Sequence, residues 1–199
     1  MNPYNDMQLD ALRELANIAS GTAATSLSQM LGRDVDLSVP RALALPLADA
    51  VEAVGNPAET VTGVVLPLEG DLAGVVVLLI EPAGAEVLCT LLGVEPGSDV
   101  ADSAMGEIGN IVGASYLQAL GSMTGLELLP SPPHVVTDLL GAIVASILAE
   151  TSGDCEFAFV LDSELDVAGD PCAISFMLLP SNGNPTDLLA PLGLAETTA

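Results

Sequence analysis

The chain has 199 residues, half of them hydrophobic, and a formal net charge of -24 from 27 acidic residues, three arginines and no lysine. So acidic a surface repels nucleic-acid phosphates and anionic membranes, which excludes both as partners. No apolar run reaches the roughly 18–20 residues of a membrane helix, and the N-terminus does not read as a signal peptide, so we expect a cytoplasmic protein without membrane insertion.

The first half of the chain is predicted to alternate helices with extended segments. Apolar residues recur at helical spacing in its first thirty residues, and two β-branched runs around an acidic, glycine-containing turn predict a hairpin. In chain order we predict a long helix over 7–31, an extended piece ending at Pro40, a helix over 47–54, strands over 60–68 and 72–80, and a helix over 82–93.

The second half repeats this order after a linker in which Ser98 or Asp99 can cap the next helix. Its predicted elements are a long helix that ends near Gly125, an extended piece ending at Pro133, a helix over 137–150, and strands over 155–161 and 172–179 around an acidic turn over 162–171.

The predicted fold is α+β, with two pseudo-symmetric halves that share a mostly antiparallel sheet flanked by the two long helices. The halves cover about 7–93 and 100–180 and form a single domain over 1–180. Residues 181–199 are expected to be a flexible tail.

An internal repeat is the most informative feature of the sequence. Residues 10–40 and 103–133 align without a gap and share nine identities. In the first copy these are Ala11, Glu14, Asn17, Ile18, Leu27, Met30, Gly32, Ser38 and Pro40. The repeat keeps a Glu and an Asn one helical turn apart as well as apolar positions, which indicates two equivalent sites and not only two equivalent helices.

The polar residues of each copy face away from the predicted core. On a helical wheel Asp10, Glu14 and Asn17 fall within about 60° of one another, opposite the apolar stripe. In the second copy these positions hold Ser103, Glu107 and Asn110. Solvation alone would explain such residues in one helix. However, an Asn in mid-helix costs roughly 0.5–0.7 kcal/mol relative to Ala, so its presence in both diverged copies favours a function.

The chemistry open to this chain is narrow, because neither Glu nor Asn is a useful nucleophile. Cys89, Cys155 and Cys172 form no CxxC pair and are interpreted as structural thiols, while His134 is predicted to lie in a plain loop, so we expect no metal site. An amide can orient a water molecule, and a Glu can form a charge-assisted bond to a partner's Lys or Arg. The pair suits an enzyme that completes the active site of a partner protein.

The pattern [Asp/Ser]-x-x-x-Glu-x-x-Asn-x22-Pro resembles the signature of the CheC/CheX/FliY phosphatases of chemotaxis, and two copies in one chain resemble the CheC type. The resemblance implies hydrolysis of the phospho-aspartate of a CheY-type response regulator. It assigns catalytic roles to Glu14, Asn17, Glu107 and Asn110. It assigns supporting roles to Asp10, Pro40, Ser103 and Pro133.

The resemblance also implies how the pair acts. Each Asn would enter the regulator's acidic pocket and align the attacking water, and each Glu would pair with the regulator's active-site lysine. The Mg²⁺ would belong to the regulator, so no cofactor is expected in this chain. CheC relatives also bind the deamidase CheD, a candidate second partner. Two alternatives stay open: a non-catalytic adaptor for a regulator or CheD, and a structural part of a flagellar switch.

The charge further indicates a protein from the salt-loaded cytoplasm of a halophile. Acidic self-repulsion destabilises a compact fold in dilute buffer, whereas at about 1 M salt the Debye length is roughly 3 Å and the repulsion is screened. We predict partial unfolding by circular dichroism at about 10 mM salt, reversed at molar salt. A fully cooperative thermal transition at the lower salt concentration would contradict this prediction.

Overall fold

The computed structural model describes residues 6–150 and 157–181. Its elements are α1 (Asp6–Leu31), β1 (Val35–Pro46), α2 (Leu47–Val54), β2 (Thr60–Gly70), β3 (Gly74–Ile80), α3 (Pro82–Leu92), α4 (Asp99–Thr124), β4 (Leu128–Pro130), β5 (His134–Leu139), α5 (Leu140–Glu150), β6 (Phe157–Val167) and β7 (Asp170–Pro180). The predicted strand start at Cys155 and the predicted tail beyond Ser181 lie outside these residues. No helix within them is long and apolar enough to cross a membrane.

The strands of the described residues form one sheet in the order β1-β6-β7-β3-β2-β4, and β5 also pairs with β2. Every pairing is antiparallel. The outer strands of each half pair with the hairpin of the other half. Strand β1 of the first half pairs with β6, and strands β4 and β5 of the second half pair with β2. At the centre, β3 pairs with β7 and so joins the two hairpins. The predicted α+β fold with a shared antiparallel sheet is confirmed. The limits of the repeats and of the domain stay a prediction.

Helices cover both faces of the sheet. The helices α1, α3 and α4 pack over one apolar core, and α2 and α5 pack over a second core on the opposite face. The central strand β3 is buried along its whole length, with Leu78 in the first core and the adjacent Val77 in the second. A strand that is covered on both faces has apolar residues at successive positions, and β3 is easy to recognise in the sequence for this reason.

The helix ends follow the capping residues. Ser98 is the N-cap of α4, where its hydroxyl accepts a hydrogen bond from the Ala101 amide at 3.2 Å. Gly32, Gly93 and Gly125 follow α1, α3 and α4 in the left-handed conformation, with φ of 63°, 67° and 75°. Glycine adopts this conformation without a Cβ clash, so the three helices end within about two residues of their predicted limits.

The predicted boundary at Pro40 is wrong, because β1 continues through it to Pro46. Proline cannot donate a ladder hydrogen bond and is tolerated in edge strands or at irregular points. Both conditions hold here: β1 is an edge strand, and its register with β6 shifts between Ser38 and Arg41.

The predicted loop position of His134 and the predicted helix start at residue 137 are also wrong. His134 begins β5, which pairs with β2 from Val65 to Thr60, and α5 begins at Leu140. Val135, Val136 and Thr137 of this segment are β-branched and fit a pleated surface. Residues 134–139 therefore extend the sheet and do not start the helix.

The acidic turn predicted over residues 162–171 is much shorter in the structure. The strands of this hairpin run to Val167 and restart at Asp170, and the turn consists of Ala168 and Gly169 at φ of 56° and 96°. Exposed Glu164 alternates with buried Ser163 and Leu165, which is the pattern of a strand with one solvated face.

A buried polar chain joins the two long helices to the sheet. The Tyr116 hydroxyl of α4 lies 3.1 Å from Ser20 Oγ of α1 and 3.1 Å from Ser163 Oγ of β6, and Ser20 donates to the Ala16 carbonyl at 2.7 Å. The Tyr116 ring also packs on Phe176 with centroids 4.8 Å apart. Because buried polar groups need partners, this series of hydrogen bonds fixes the orientation of α1 relative to α4.

We predict that Tyr116→Phe lowers the free energy of unfolding by about 1–2 kcal/mol, since the buried Ser163 hydroxyl loses its partner. Urea denaturation in molar salt, followed by circular dichroism, measures this change. The Tyr116→Phe/Ser163→Ala double variant is the control, and its loss is expected to be smaller than the sum of the two single losses. A strictly additive loss would contradict a direct bond.

Candidate functional site

The two helices that carry the repeated polar pair match in length and phase. α1 and α4 have 26 residues each, and each begins four residues before its first motif residue, Asp10 or Ser103. Each residue of α1 therefore has a counterpart in α4 at the same distance from the start of the helix and at the same rotation about the helix axis.

Both polar pairs lie on outward faces of these helices. Glu14, Asn17 and Glu107 are exposed, and Asn110 is half-buried. Within residues 6–150 and 157–181, none of the four side chains makes a hydrogen bond or an ion pair. Their carboxylates and amides are therefore available to another molecule. The wheel predicted this placement, while the chemical role of the four residues stays a prediction.

The first motif position is engaged differently in the two copies. Asp10 accepts a hydrogen bond from Arg13 at 3.0 Å in an exposed ion pair, which contributes little to stability. Ser103 donates to the Asp99 carbonyl of its own helix at 2.8 Å. The contacts of this position remain within its own helix in both copies, away from the Glu and Asn.

The motif prolines lie apart from the helices. Pro40 lies in the edge strand β1, and Pro133 lies in the connection between β4 and β5 at the other edge of the sheet. In each copy the proline therefore marks an irregular point in the outer strands. A supporting role for these prolines toward the polar pairs stays a prediction.

The helix α4 lies closer to the sheet than a helix without glycines could. A Cβ placed on Gly109 would lie 2.5 Å from Val64 Cγ1 of β2, so the close approach requires glycine at this position. The corresponding residue of α1 is Ala16. The two sites consequently differ in depth: Asn110 is half-buried where Asn17 is exposed.

Elsewhere in residues 6–150 and 157–181, the polar and reactive groups form no competing site. Among the described residues, no three His, Cys, Asp or Glu side chains are grouped so that they could hold a metal ion. Burial, with a smaller contribution from the charge of Glu81, raises the pKa of Cys172 to about 11. Its thiol stays protonated at neutral pH and is a poor nucleophile. A cavity between α1, α4 and the sheet is lined by leucine, phenylalanine and tyrosine side chains.

Sequence reasoning missed the role of Tyr116. Tyr116 is buried among the apolar residues of α4, but its hydroxyl also bonds to Ser20. Ser20 follows Asn17 by three residues, and Tyr116 follows Asn110 by six. The bond therefore holds the motif helices together close to both polar pairs. A tyrosine among the apolar residues of α4 was the available signal.

The arrangement can position a water molecule and a cation but cannot form a covalent intermediate through the motif residues. Each helix presents one carboxylate and one carboxamide a turn apart, and small residues follow on the same face. Gly21 is exposed, and a Cβ there would meet no atom within 4 Å. This face of each helix is open to contact with another molecule.

Comparison with known proteins assigns the chain to a family. The CheC-like family model matches residues 7–43 and 100–137, the two stretches that contain the polar pairs. The CheY-P phosphatase CheC of Bacillus subtilis (strain 168) is 36% identical over 172 residues, which cover 82% of this chain and 82% of that protein. The chain belongs to the CheC-like family.

Two further relatives agree with this assignment. The putative CheY-P phosphatase CheC1 of Halobacterium salinarum (strain ATCC 29341 / DSM 671 / R1) is 28% identical over 164 residues, 79% of this chain and 82% of that protein. The crystal structure of Thermotoga maritima FliY superposes with a TM-score of 0.74 at 21% identity, covering 96% of this chain and 97% of that one. At this identity the FliY structure shows the fold alone.

The glycines of the two helices yield a matched prediction. Gly21→Ala is expected to stabilise the protein by about 0.5–1 kcal/mol, because the methyl group enters open space and alanine favours the helix. Gly109→Ala is expected to destabilise it by about 1 kcal/mol or more, because the methyl group overlaps Val64. Urea denaturation in molar salt compares the two variants. Equal stabilisation by both would show that α4 is not held against β2 as described.

Proposed function

We propose that the protein is a phosphatase that hydrolyses the phospho-aspartate of a CheY-type response regulator in chemotaxis. The observation that carries the proposal is the outward-facing Glu–Asn pair, present on both long helices and free of internal side-chain partners among the described residues. The 36% identity to the B. subtilis CheY-P phosphatase supports the same activity.

In this mechanism Asn17 and Asn110 each position the attacking water in the regulator's acidic pocket. A carboxamide both donates and accepts hydrogen bonds, so it can hold a water molecule in line with the phosphorus–aspartate bond. The water oxygen bonds to phosphorus as the bond to the aspartate oxygen breaks, which leaves a free carboxylate and inorganic phosphate. Positioning supplies much of the rate in such a transfer, so no nucleophile of this chain is needed.

Glu14 and Glu107 fix the helices in place by pairing with the regulator's active-site lysine. Charge-assisted hydrogen bonds are roughly twice as strong as neutral ones, and they orient the neighbouring Asn one turn away. The Mg²⁺ that neutralises the phosphoryl oxygens belongs to the regulator, and we assign no cofactor to this chain. Asp10, Ser103 and the two motif prolines, Pro40 and Pro133, support this geometry.

The proposal includes a cellular setting, the salt-rich cytoplasm of a halophile. Two acidic proteins repel each other, and only high ionic strength screens this repulsion enough for rapid association. The chain itself supports this setting with 27 acidic residues against three basic ones. A CheD-type deamidase is a second proposed partner, for which we assign no surface.

The direct test is the decay of acyl phosphate on a CheY-type regulator of the same organism in molar salt. The parent protein is expected to accelerate decay, and the Asn17→Ala/Asn110→Ala double variant is expected to lose roughly 10²-fold or more of that acceleration. Each single Asn variant should retain part of the activity if both sites work, whereas complete loss from one substitution would mean that the other site is silent.

Asn56→Ala is a suitable control, because Asn56 is exposed between α2 and β2 and bonds only locally, to the Ala58 amide at 3.1 Å. This control should keep the parent rate. Equal decay with the parent and the double variant would overturn the phosphatase mechanism. If the regulator still bound in that case, the protein would act as a non-catalytic adaptor.

A further inference from the structure

We infer that exposed apolar side chains beside each polar pair, Met7 and Ile18 on α1 and Val100 on α4, are docking residues for the response regulator. The inference rests on the proposed function and names the contacts that hold the regulator at the same two sites. We call Met7, Ile18 and Val100 the apolar flank. It would provide affinity, whereas the Glu and Asn provide orientation and chemistry.

The exposure of the apolar flank is the first observation. The relative exposures of Met7, Val100 and Ile18 are 68%, 62% and 53%, the three largest values among the large hydrophobic residues described. Single exposed apolar residues are common and need no explanation. Here, however, Met7 and Val100 occupy the same position in the two copies, at the second residue of α1 and of α4.

The repeat extends to the second apolar position. Ile18 aligns with Ile111, and each directly follows the Asn of its copy. Ile111 is half-buried and packs partly on the core, consistent with the deeper seating of α4. Core packing therefore explains Ile111, but it does not explain the exposed Ile18, Met7 or Val100.

Helix geometry places the apolar flank on the surface that would face the regulator. At about 100° and 1.5 Å per residue, Met7 and Ile18 lie within about 40° of Glu14 around the helix, roughly 10 Å before it and 6 Å after it. Val100 precedes Glu107 by the same distance and lies at the same angle from it as Met7 does from Glu14. A molecule that contacted Glu14 with a lysine would therefore also cover the apolar side chains on either side.

Charge explains why these contacts are needed and what kind of molecule covers them. Glu14 and Glu107 have no cation partner among the described residues, where Arg13 pairs with Asp10 and Arg41 with Asp162. A cation that pairs with these carboxylates would come from another molecule, so we commit to the response regulator of the proposed function, with its lysine in an acidic pocket and an apolar rim around it. In molar salt the Debye length is about 3 Å, so long-range attraction contributes little and apolar burial must provide the affinity.

The test measures binding and hydrolysis separately. Isothermal titration in molar salt uses the regulator activated with beryllofluoride, a phosphoryl mimic that is not hydrolysed. The Met7→Ser/Ile18→Ser/Val100→Ser triple variant is expected to raise the Kd at least about tenfold at the α1 site, which loses two apolar contacts, and by less at the α4 site, which loses one. In the turnover assay it should raise KM while kcat changes less than twofold, since the Asn residues are untouched.

Two controls separate docking from general effects. Leu129→Ser changes a residue of similar exposure, 50%, that lies on β4 and not on a motif helix, and it should leave the Kd unchanged. Met7→Leu/Ile18→Val/Val100→Ile keeps the apolar character and should restore the parent affinity. Circular dichroism in the same salt verifies that each variant is folded.

The outcomes distinguish this inference from the proposed function. If the triple variant binds the regulator as tightly as the parent does, the inference that the apolar flank is a docking surface is overturned. The same holds if the parent protein binds no regulator. A parent that binds through the apolar flank but does not accelerate decay supports the docking surface and overturns the phosphatase. An equal loss of affinity in Leu129→Ser would show that surface hydrophobicity in general, and not this face, governs binding.

Discussion

The interleaving of the two halves in one sheet is the constraint on which the rest of the structure depends. Each half pairs its outer strand with the hairpin of the other, and β3 and β7 close the centre. Because α1 and α4 bury their apolar stripes on the same face of this sheet, their rotation is fixed. The polar pair on the opposite side of each helix must then face outward, and the bond between Tyr116 and Ser20 holds the two helices together.

This constraint also bears on the proposed function, in which the chain contributes few reactive groups. The sheet and helices form a rigid support, and no catalytic group has to be enclosed in a pocket of the chain itself. In the proposed mechanism the packed helix already fixes the backbone of the Glu and the Asn, so only their side-chain rotamers are ordered when they enter another protein's site. Duplication of the helix within one sheet yields two such surfaces, which differ in depth because Gly109 brings α4 close to β2.

Much of the candidate site could be predicted from the sequence, because helices are local. Their period, their caps and their C-terminal glycines lie within one segment, so the limits of α1, α2, α3 and α4 were close to those observed. The rotation of Glu14 and Asn17 followed from the apolar stripe alone. The bond of Tyr116 and the different depths of Asn17 and Asn110 could not be predicted, since each depends on what the partner element contributes.

By itself, therefore, the sequence determined the two long helices, the outward direction of both polar pairs and the antiparallel hairpins. The tertiary structure alone decided that β1 runs on through Pro40, that His134 begins a strand, and that residues 162–167 belong to β6. The physical reason is that a helix satisfies its backbone hydrogen bonds within its own segment, whereas a strand satisfies them only through distant neighbours. The neighbours of each strand depend on how the two halves interleave, and this cannot be predicted from a local sequence pattern.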